Sequence, residues 1–241
     1  MTRQRVDSLL VERGLAESRT RAQALVLAGQ VTVSGKASVK PGTMVSPDAD
    51  IAVLSPPRFV SRGGIKLEFA LEQFRIDAVG MVVADIGAST GGFTDCLLQH
   101  GAARVYAVDV GYGQLDYRLR KDPRVVVMER VNARYPQSLP EKVDLVTMDV
   151  SFISVEKVLP AVAPLLKDGG SIIVLLKPQF EARRGEVGRG GVIKDPRLHA
   201  AVIGRFLHWA LDRNFRLEGM VASPIHGSSG NREFLIKLSL T

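Results

Sequence analysis

Asp149 and Lys177 each close an apolar run of strand length, in Thr147-Met-Asp-Val-Ser-Phe and Leu175-Leu-Lys-Pro-Gln-Phe. A carboxylate and an ammonium at one end of a sheet can align a nucleophile and manage its proton; the plain alternative is a strand-terminal charge turned to solvent. A third strand-like run leads into Asp85-Ile-Gly-Ala-Ser-Thr-Gly-Gly-Phe-Thr-Asp, after which Cys96-Leu-Leu reads as helix, so a ligand crevice is expected there. Three chemistries compete for this glycine run. A dinucleotide fingerprint would need Gly at position 89, where Ser89 stands. A G-x-S-x-G nucleophile elbow is spelled by Gly87 to Gly91, with Asp149 and His226 in triad order, but an elbow follows several strands and this run follows the first of its domain. The remaining reading is a pocket for S-adenosylmethionine. Gly87, Gly91 and Gly92, beside Ser89, permit close backbone approach to the amino-acid half of that cofactor. Asp85 is placed to meet its amino group, and Asp109, at the next strand end, to accept from ribose hydroxyls, although two such acids identify a ribose-bearing cofactor better than they identify which one. After the following strand, Asn132, or else Glu129, is the candidate for the adenine, with a solvated loop as the alternative.

These residues need a scaffold that ends several strands at one edge. Met81 to Asp85, Arg104 to Asp109, Arg124 to Met128, Val143 to Asp149 and Ser171 to Leu176 are short Val- and Ile-rich runs separated by segments able to form helices, the pattern of a parallel sheet covered on both faces. Arg216 to Ser223 and Arg232 to Leu238 flank a turn-rich stretch and are expected to form an antiparallel pair at the sheet edge. The expected fold class is α/β: a Rossmann-like sheet, mostly parallel with an antiparallel C-terminal edge strand, preceded by a small α+β domain. The boundary falls at Ser55-Pro-Pro-Arg, where two prolines favour an extended connection, giving a first domain over 1–55, a linker over 56–62 and a second domain over 63–241.

With 46% hydrophobic and 24% charged residues, the 241-residue chain has the composition of a folded protein. Its net charge of +7 favours a polyanionic partner, nucleic acid or an anionic membrane surface. No run approaches the ~20 apolar residues that span a bilayer. Asp7 and Glu12 interrupt the N-terminal segment where a signal peptide would be apolar, so no stable membrane insertion and a cytoplasmic location are expected. Cys96 is the one cysteine, and no clustered Cys/His pattern offers a metal site. Residues 1–40 carry seven basic and three acidic side chains. Ser18 caps a helix with Ala22, Leu25 and Val26 on its apolar side and Gly29 at its end; Val31-Thr-Val and Ala37-Ser-Val then flank the turn Ser34-Gly-Lys. A basic helix followed by a basic hairpin suits RNA phosphates, with Arg3, Arg5, Arg19, Arg21 and Lys36 as candidate contacts; a solvated surface without a partner is the alternative. Arg62 flanks the presumed reaction site and is a further candidate. Glu181-Ala-Arg-Arg-Gly-Glu-Val-Gly-Arg-Gly-Gly suits a lid that orders over RNA, or a merely mobile loop.

Arg5-Val-Asp-Ser-Leu-Leu, Ser18-Arg-Thr-Arg-Ala-Gln and Ala28-Gly-Gln-Val-Thr-Val-Ser-Gly together resemble the S4-type RNA-binding module, with Ser34 where that module usually has Asn. Lys66, Asp149, Lys177 and Glu233 resemble, in chain order, the Lys-Asp-Lys-Glu tetrad of FtsJ-type RNA 2′-O-methyltransferases. The whole chain is similar to the TlyA family, whose members are called both hemolysin and rRNA 2′-O-methyltransferase, through Ser61-Arg-Gly-Gly-Ile-Lys-Leu, Asp109-Val-Gly-Tyr-Gly-Gln-Leu, Asp149-Val-Ser-Phe-Ile-Ser, Lys177-Pro-Gln-Phe-Glu and Gly190-Gly-Val-Ile-Lys-Asp. The resemblance implies S-adenosylmethionine-dependent methylation of a ribose 2′-hydroxyl, of a cytidine in ribosomal RNA, on RNA or ribosomal subunits and without a metal. It makes the tetrad catalytic and puts Asp149 beside the cofactor as well. Lys177 would act either as the base that takes the hydroxyl proton or as a donor that steadies its oxygen. The rival classes are an RNA-binding protein without turnover and a membrane-active hemolysin. Oligomeric state is not written in the sequence.

Overall fold

Ser18 accepts a hydrogen bond from Arg21 N at 3.2 Å and so opens a helix where the sequence places one. In the computed structural model, residues 3–37, 40–54, 57–135, 138–188 and 190–241 are described, and the chain divides into two units between Arg58 and Phe59. The first unit runs β1 (Gln4–Arg5), α1 (Val6–Glu12), α2 (Arg19–Leu27), β2 (Val31–Val33), β3 (Lys36–Ala37), β4 (Met44–Val45) and β5 (Ile51–Val53). Its strands form a β3-β2-β5 sheet and a separate β1-β4 pair, both antiparallel. Val33 pairs with Lys36, so the hairpin loop is Ser34-Gly35 alone. Both residues have positive φ, the conformation that matches a two-residue turn to strand twist. Lys36 therefore belongs to the strand and not to the turn; Ser38 and Val39, the rest of the expected strand, lie outside the described residues. Val6, Leu9, Leu10, Leu25, Val26, Val31 and Ile51 form the core of this unit.

The second unit contains α3 (Gly63–Gln73), β6 (Val82–Ile86), α4 (Gly92–Gln99), β7 (Arg104–Val108), α5 (Tyr117–Lys121), β8 (Val125–Met128), β9 (Val143–Met148), α6 (Leu159–Val162), β10 (Leu166–Leu176), α7 (Pro178–Glu181), α8 (Pro196–Leu211), β11 (Phe215–Ala222) and β12 (Phe234–Leu240). The sheet order is β11-β12-β10-β9-β6-β7-β8. The run Ile172 to Leu176 is continuously apolar because successive residues enter opposite cores: Ile172, Val174 and Leu176 pack with α8, whereas Ile173 and Leu175 pack with α3 and α4. Pairing from β8 through β10 is parallel, as the sequence pattern implies. The expected antiparallel pair of β11 and β12 stands at the sheet edge; within it the C-terminal strand β12 is the inner one, antiparallel to both β10 and β11, and β11 is outermost. The crossover through α8 carries the chain one position past β10, and the last strand fills the gap from the opposite direction. Among the described residues no helix is long and apolar enough to cross a membrane.

Part of the stretch read as a linker over 56–62 is packed. Phe59 is buried, and Val60 N donates to Asp95 Oδ2 at 2.8 Å, which ties this stretch to α4. Phe59 packs on Gly64 so closely that a Cβ there would lie 2.2 Å from the ring. Gly64→Ala is expected to destabilise the second unit by about 1–3 kcal/mol through overpacking, seen as a lower denaturant midpoint with an unchanged slope.

Candidate active site

Parallel strands β6, β9 and β10 finish side by side, with Ile86 paired to Met148 and Val174 paired to Met148. The residues that follow, Gly87, Asp149 and Lys177, are thus gathered at one end. Because β12 runs the other way, it begins where the others end: Phe234 pairs with Leu176, and Glu233 arrives next to Lys177. Lys66 comes from α3. Its Nζ lies 2.5 Å from Glu233 Oε2, and both side chains are buried. Lys177 Nζ lies 2.6 Å from Asp149 Oδ1 and donates to Ser151 Oγ at 2.7 Å. Two buried or half-buried ion pairs therefore stand together, each ammonium compensated by its own carboxylate. Asp149 Oδ1 has this charge partner but no aligned hydrogen-bond donor, which leaves a buried acceptor available.

The tetrad lines a cavity of about 350 Å³, together with Ser61, Arg62, Gly87, Ser89, Gly92 and Ser151. A second cavity of about 400 Å³ shares Gly87, Ser89, Asp149 and Ser151 with the first, so the two adjoin across one wall. The second is lined by Val108, Val110, Val131 and Val158, with Asp109 and Asn132 as polar members. Asp109 accepts from Ser89 N at 2.8 Å and Gly111 N at 2.6 Å, which pins the glycine loop to the end of β7. Asn132 accepts from Arg134 N at 3.1 Å and faces the same cavity. Glu129, the other adenine candidate, accepts from Gly113 N and pairs with Arg120, whose hydrogen bond is the main force holding its carboxyl below the usual range; it lines neither cavity. Among the described residues no cluster of three or more His, Cys, Asp or Glu side chains is arranged to hold a metal ion.

Asp85 and the glycines, two groups of expected cofactor residues, also have close partners inside the protein. Asp85 is fully buried and borders neither cavity. It accepts from Thr94 Oγ1 at 2.7 Å and Thr147 Oγ1 at 3.0 Å, and burial pushes its carboxyl up to about 7. The glycines serve packing inside the protein. A Cβ on Gly91 would lie 2.3 Å from Leu119, one on Gly92 2.1 Å from Ser61 Oγ, and one on Gly87 2.6 Å from the Asp149 carbonyl. Gly87 and Gly92 also face the first cavity, whereas Gly91 faces neither.

Several residues of the site were not legible in the sequence. Ser151 became visible only through its bond to Lys177. Gly227 matters because a Cβ there would lie 2.4 Å from Glu233 Oε1, so the turn before β12 cradles that carboxylate. Phe152 is 91% exposed with φ of 62°, a strained backbone for a bulky residue, and its ring lies 5.1 Å from that of Phe180. The only sequence signal for it was a large apolar residue in the loop that follows a site acid.

In the first unit Arg3, Arg19, Arg21 and Lys36 are exposed and Arg5 is half-buried. Arg5 and Arg19 both reach Asp7, which is fully buried; the Arg5 hydrogen bond, opposed by burial, holds the Asp7 carboxyl well below the usual carboxylate range. Within the expected lid, Glu181 belongs to α7 and accepts from Ser154 Oγ at 2.6 Å and Val155 N at 2.9 Å, while burial raises its pKa. Arg183 and Arg184 are exposed, Glu186 pairs with Arg205 at 2.7 Å, and Arg189 lies outside the described residues.

A sheet of this order, with charged side chains gathered at the carboxyl ends of its parallel strands and a ligand-sized cavity beside them, defines a Rossmann-like methyltransferase domain. Residues 59–240 match the FtsJ-like methyltransferase family and residues 4–51 match the S4 domain. The chain belongs to the FtsJ-like methyltransferase family and carries an S4 domain at its N-terminal end. It is 48% identical over 240 residues to the 16S/23S rRNA (cytidine-2′-O)-methyltransferase TlyA of Mycobacterium tuberculosis, covering 98% of this chain and 90% of that protein. It is 40% identical over 237 residues to Hemolysin A of Brachyspira hyodysenteriae, covering 96% and 98%. Among solved structures, one described as a hemolysin from Streptococcus thermophilus superposes with a TM-score of 0.77 at 43% identity, covering 100% of this chain and 90% of the other.

The Asp85 environment has a measurable consequence. Its pKa rises from 3.8 to about 7 on folding, so between those values the folded state keeps a proton that the unfolded state has lost. Stability then falls as pH rises through this window. Asp85→Asn removes that slope: relative to the parent protein, the variant should be more stable at pH 8 than it is at pH 5, as read by denaturant titration at both values.

Proposed function

We propose that this protein transfers a methyl group from S-adenosylmethionine to a ribose 2′-hydroxyl of ribosomal RNA, on a cytidine, in the cytoplasm. The observation that carries the reading is the tetrad, standing in one cavity and meeting a second cavity across Asp149 and Ser151. The second cavity fits the cofactor: valine side chains suit a purine, Asp109 keeps acceptor capacity for ribose hydroxyls, and Asn132 offers an amide to the base edge. When bound, S-adenosylmethionine supplies a methyl group on a sulfonium, which passes to an attacking oxygen as the carbon–sulfur bond breaks.

The residues of the chain supply alignment and a path for one proton. An ammonium has three hydrogens and no lone pair. Lys177 donates to Ser151 Oγ and faces Asp149 as an ion pair, so as an ammonium it still has a hydrogen for the ribose oxygen and orients it instead of taking its proton. Asp149 Oδ1 can accept the hydroxyl hydrogen, which then passes to water. Glu233 and Lys66 neutralise one another beside this pair and hold the wall of the cavity in place. The ring of Phe152, exposed at the rim of the second cavity, suits stacking on an unstacked base, the usual way in which single-stranded RNA is read. Basic residues of the S4 domain dock the RNA through its phosphates. The names of relatives support ribosomal RNA and cytidine as the substrate.

Lys177→Ala should lower methyl incorporation into ribosomal RNA by about 10²–10⁴-fold, the range for losing one aligned proton-handling or orienting group. Binding of S-adenosylmethionine, measured by calorimetry, should survive. Incorporation of labelled methyl at the parent rate would overturn the assignment.

A further inference from the structure

Asp7 is the one fully buried carboxylate of the described first-unit residues, and it sits among the basic side chains expected to meet RNA. Arg5 grips it with two parallel bonds, Nε to Oδ1 at 2.9 Å and Nη2 to Oδ2 at 2.7 Å. Arg19 Nε reaches Oδ2 at 3.3 Å from the other helix, and Gln23 Nε2 donates to the same oxygen at 2.9 Å. The backbone locks the carboxylate in place, since Asp7 N donates to Pro41 O and Val6 N to Thr43 O. The adjoining turn completes the seat: a Cβ on Gly42 would lie 3.0 Å from Arg5 Nη1, so the guanidinium rests against a position with no side chain. Both arginines still present surface, with side-chain exposures of 42% and 58%.

We propose that Asp7 is a positioning residue which holds Arg5 and Arg19 as one preformed fork for an RNA phosphodiester. The inference rests on the reading of this domain as the RNA-docking part of the protein. A guanidinium has five N–H donors. Asp7 engages two from Arg5 and one from Arg19, and the remainder are available to phosphate oxygens in the bidentate manner that suits arginine. Two long side chains that would otherwise lose rotamer freedom on binding have lost it already on folding. Ion-pair formation within the protein and affinity for a polyanion are thereby served by the same bonds.

Charge and positioning make opposite predictions. Asp7→Asn adds one unit of net positive charge, so electrostatics alone would tighten RNA binding. Positioning requires that it weaken, by about five- to tenfold for two arginines released. In the full-length protein, filter binding of radiolabelled ribosomal RNA across a salt series should show that loss, and in methyl-transfer assays KM for RNA should rise by the same factor with kcat unchanged. Arg5→Lys keeps every charge but loses the two-bond grip, and should weaken binding comparably; it decides the matter should Asp7→Asn fail to fold. Parent affinity or tighter in a folded Asp7→Asn protein, or parent affinity in Arg5→Lys, overturns the inference if the double variant Arg5→Ala/Arg19→Ala does bind weakly. Parent affinity in that double variant would instead overturn the docking role of the domain, and the inference with it. Filter binding needs no turnover, so failure of the methyl-transfer reading is distinguishable from both.

Discussion

Four charges at the end of a hydrophobic sheet are tolerable only as pairs, and the second unit is organised around making those pairs. Lys177 meets Asp149 because their strands are parallel neighbours that stop together. Lys66 meets Glu233 because the last strand enters the sheet from the opposite direction and begins where the others end. If the last strand ran parallel like its neighbours, Glu233 would lie at the far end of the sheet and leave a buried ammonium unpaired, a cost of several kcal/mol. The direction of one strand therefore decides whether the second pair can form.

Around those pairs the backbone is packed more tightly than side chains would allow. Gly87 lies on the Asp149 carbonyl, Gly92 on Ser61 and Gly64, and Gly227 on Glu233. Each contact fixes a segment that carries a tetrad member or flanks one. The glycine loop thus acts as a joint between α3, α4 and the strand ends, with Asp109 pinning it from β7. Asp85, buried beneath the loop and held by two threonines, supports the joint from behind.

The first unit solves a related problem with the opposite emphasis. Arginines at a surface are loose unless something holds them. Burying one carboxylate under two of them neutralises part of the charge and fixes where the rest is presented. In the second unit the pairing keeps the charges inside; in the first it keeps them in place at the surface.

The sequence by itself determined the alternation of strands and helices, the basic first domain, and the strand-terminal positions of Asp149 and Lys177. Those features depend on period, composition and local turn chemistry, which are carried by neighbouring residues. Asp149 and Lys177 were legible because each terminates an apolar run, and Ser18 because a cap acts within one helical turn. Lys66 and Glu233, 167 positions apart, were legible only through family resemblance, since a charge on a helix or before a strand gives no local sign of its partner. Tertiary structure alone decided that β12 lies inside the sheet, that Asp85 borders neither cavity, that the glycines pack against protein atoms, and that Asp7 is buried against Arg5 and Arg19. All four are outcomes of which surfaces meet, and burial, pairing and close approach exist only once distant segments have been brought together.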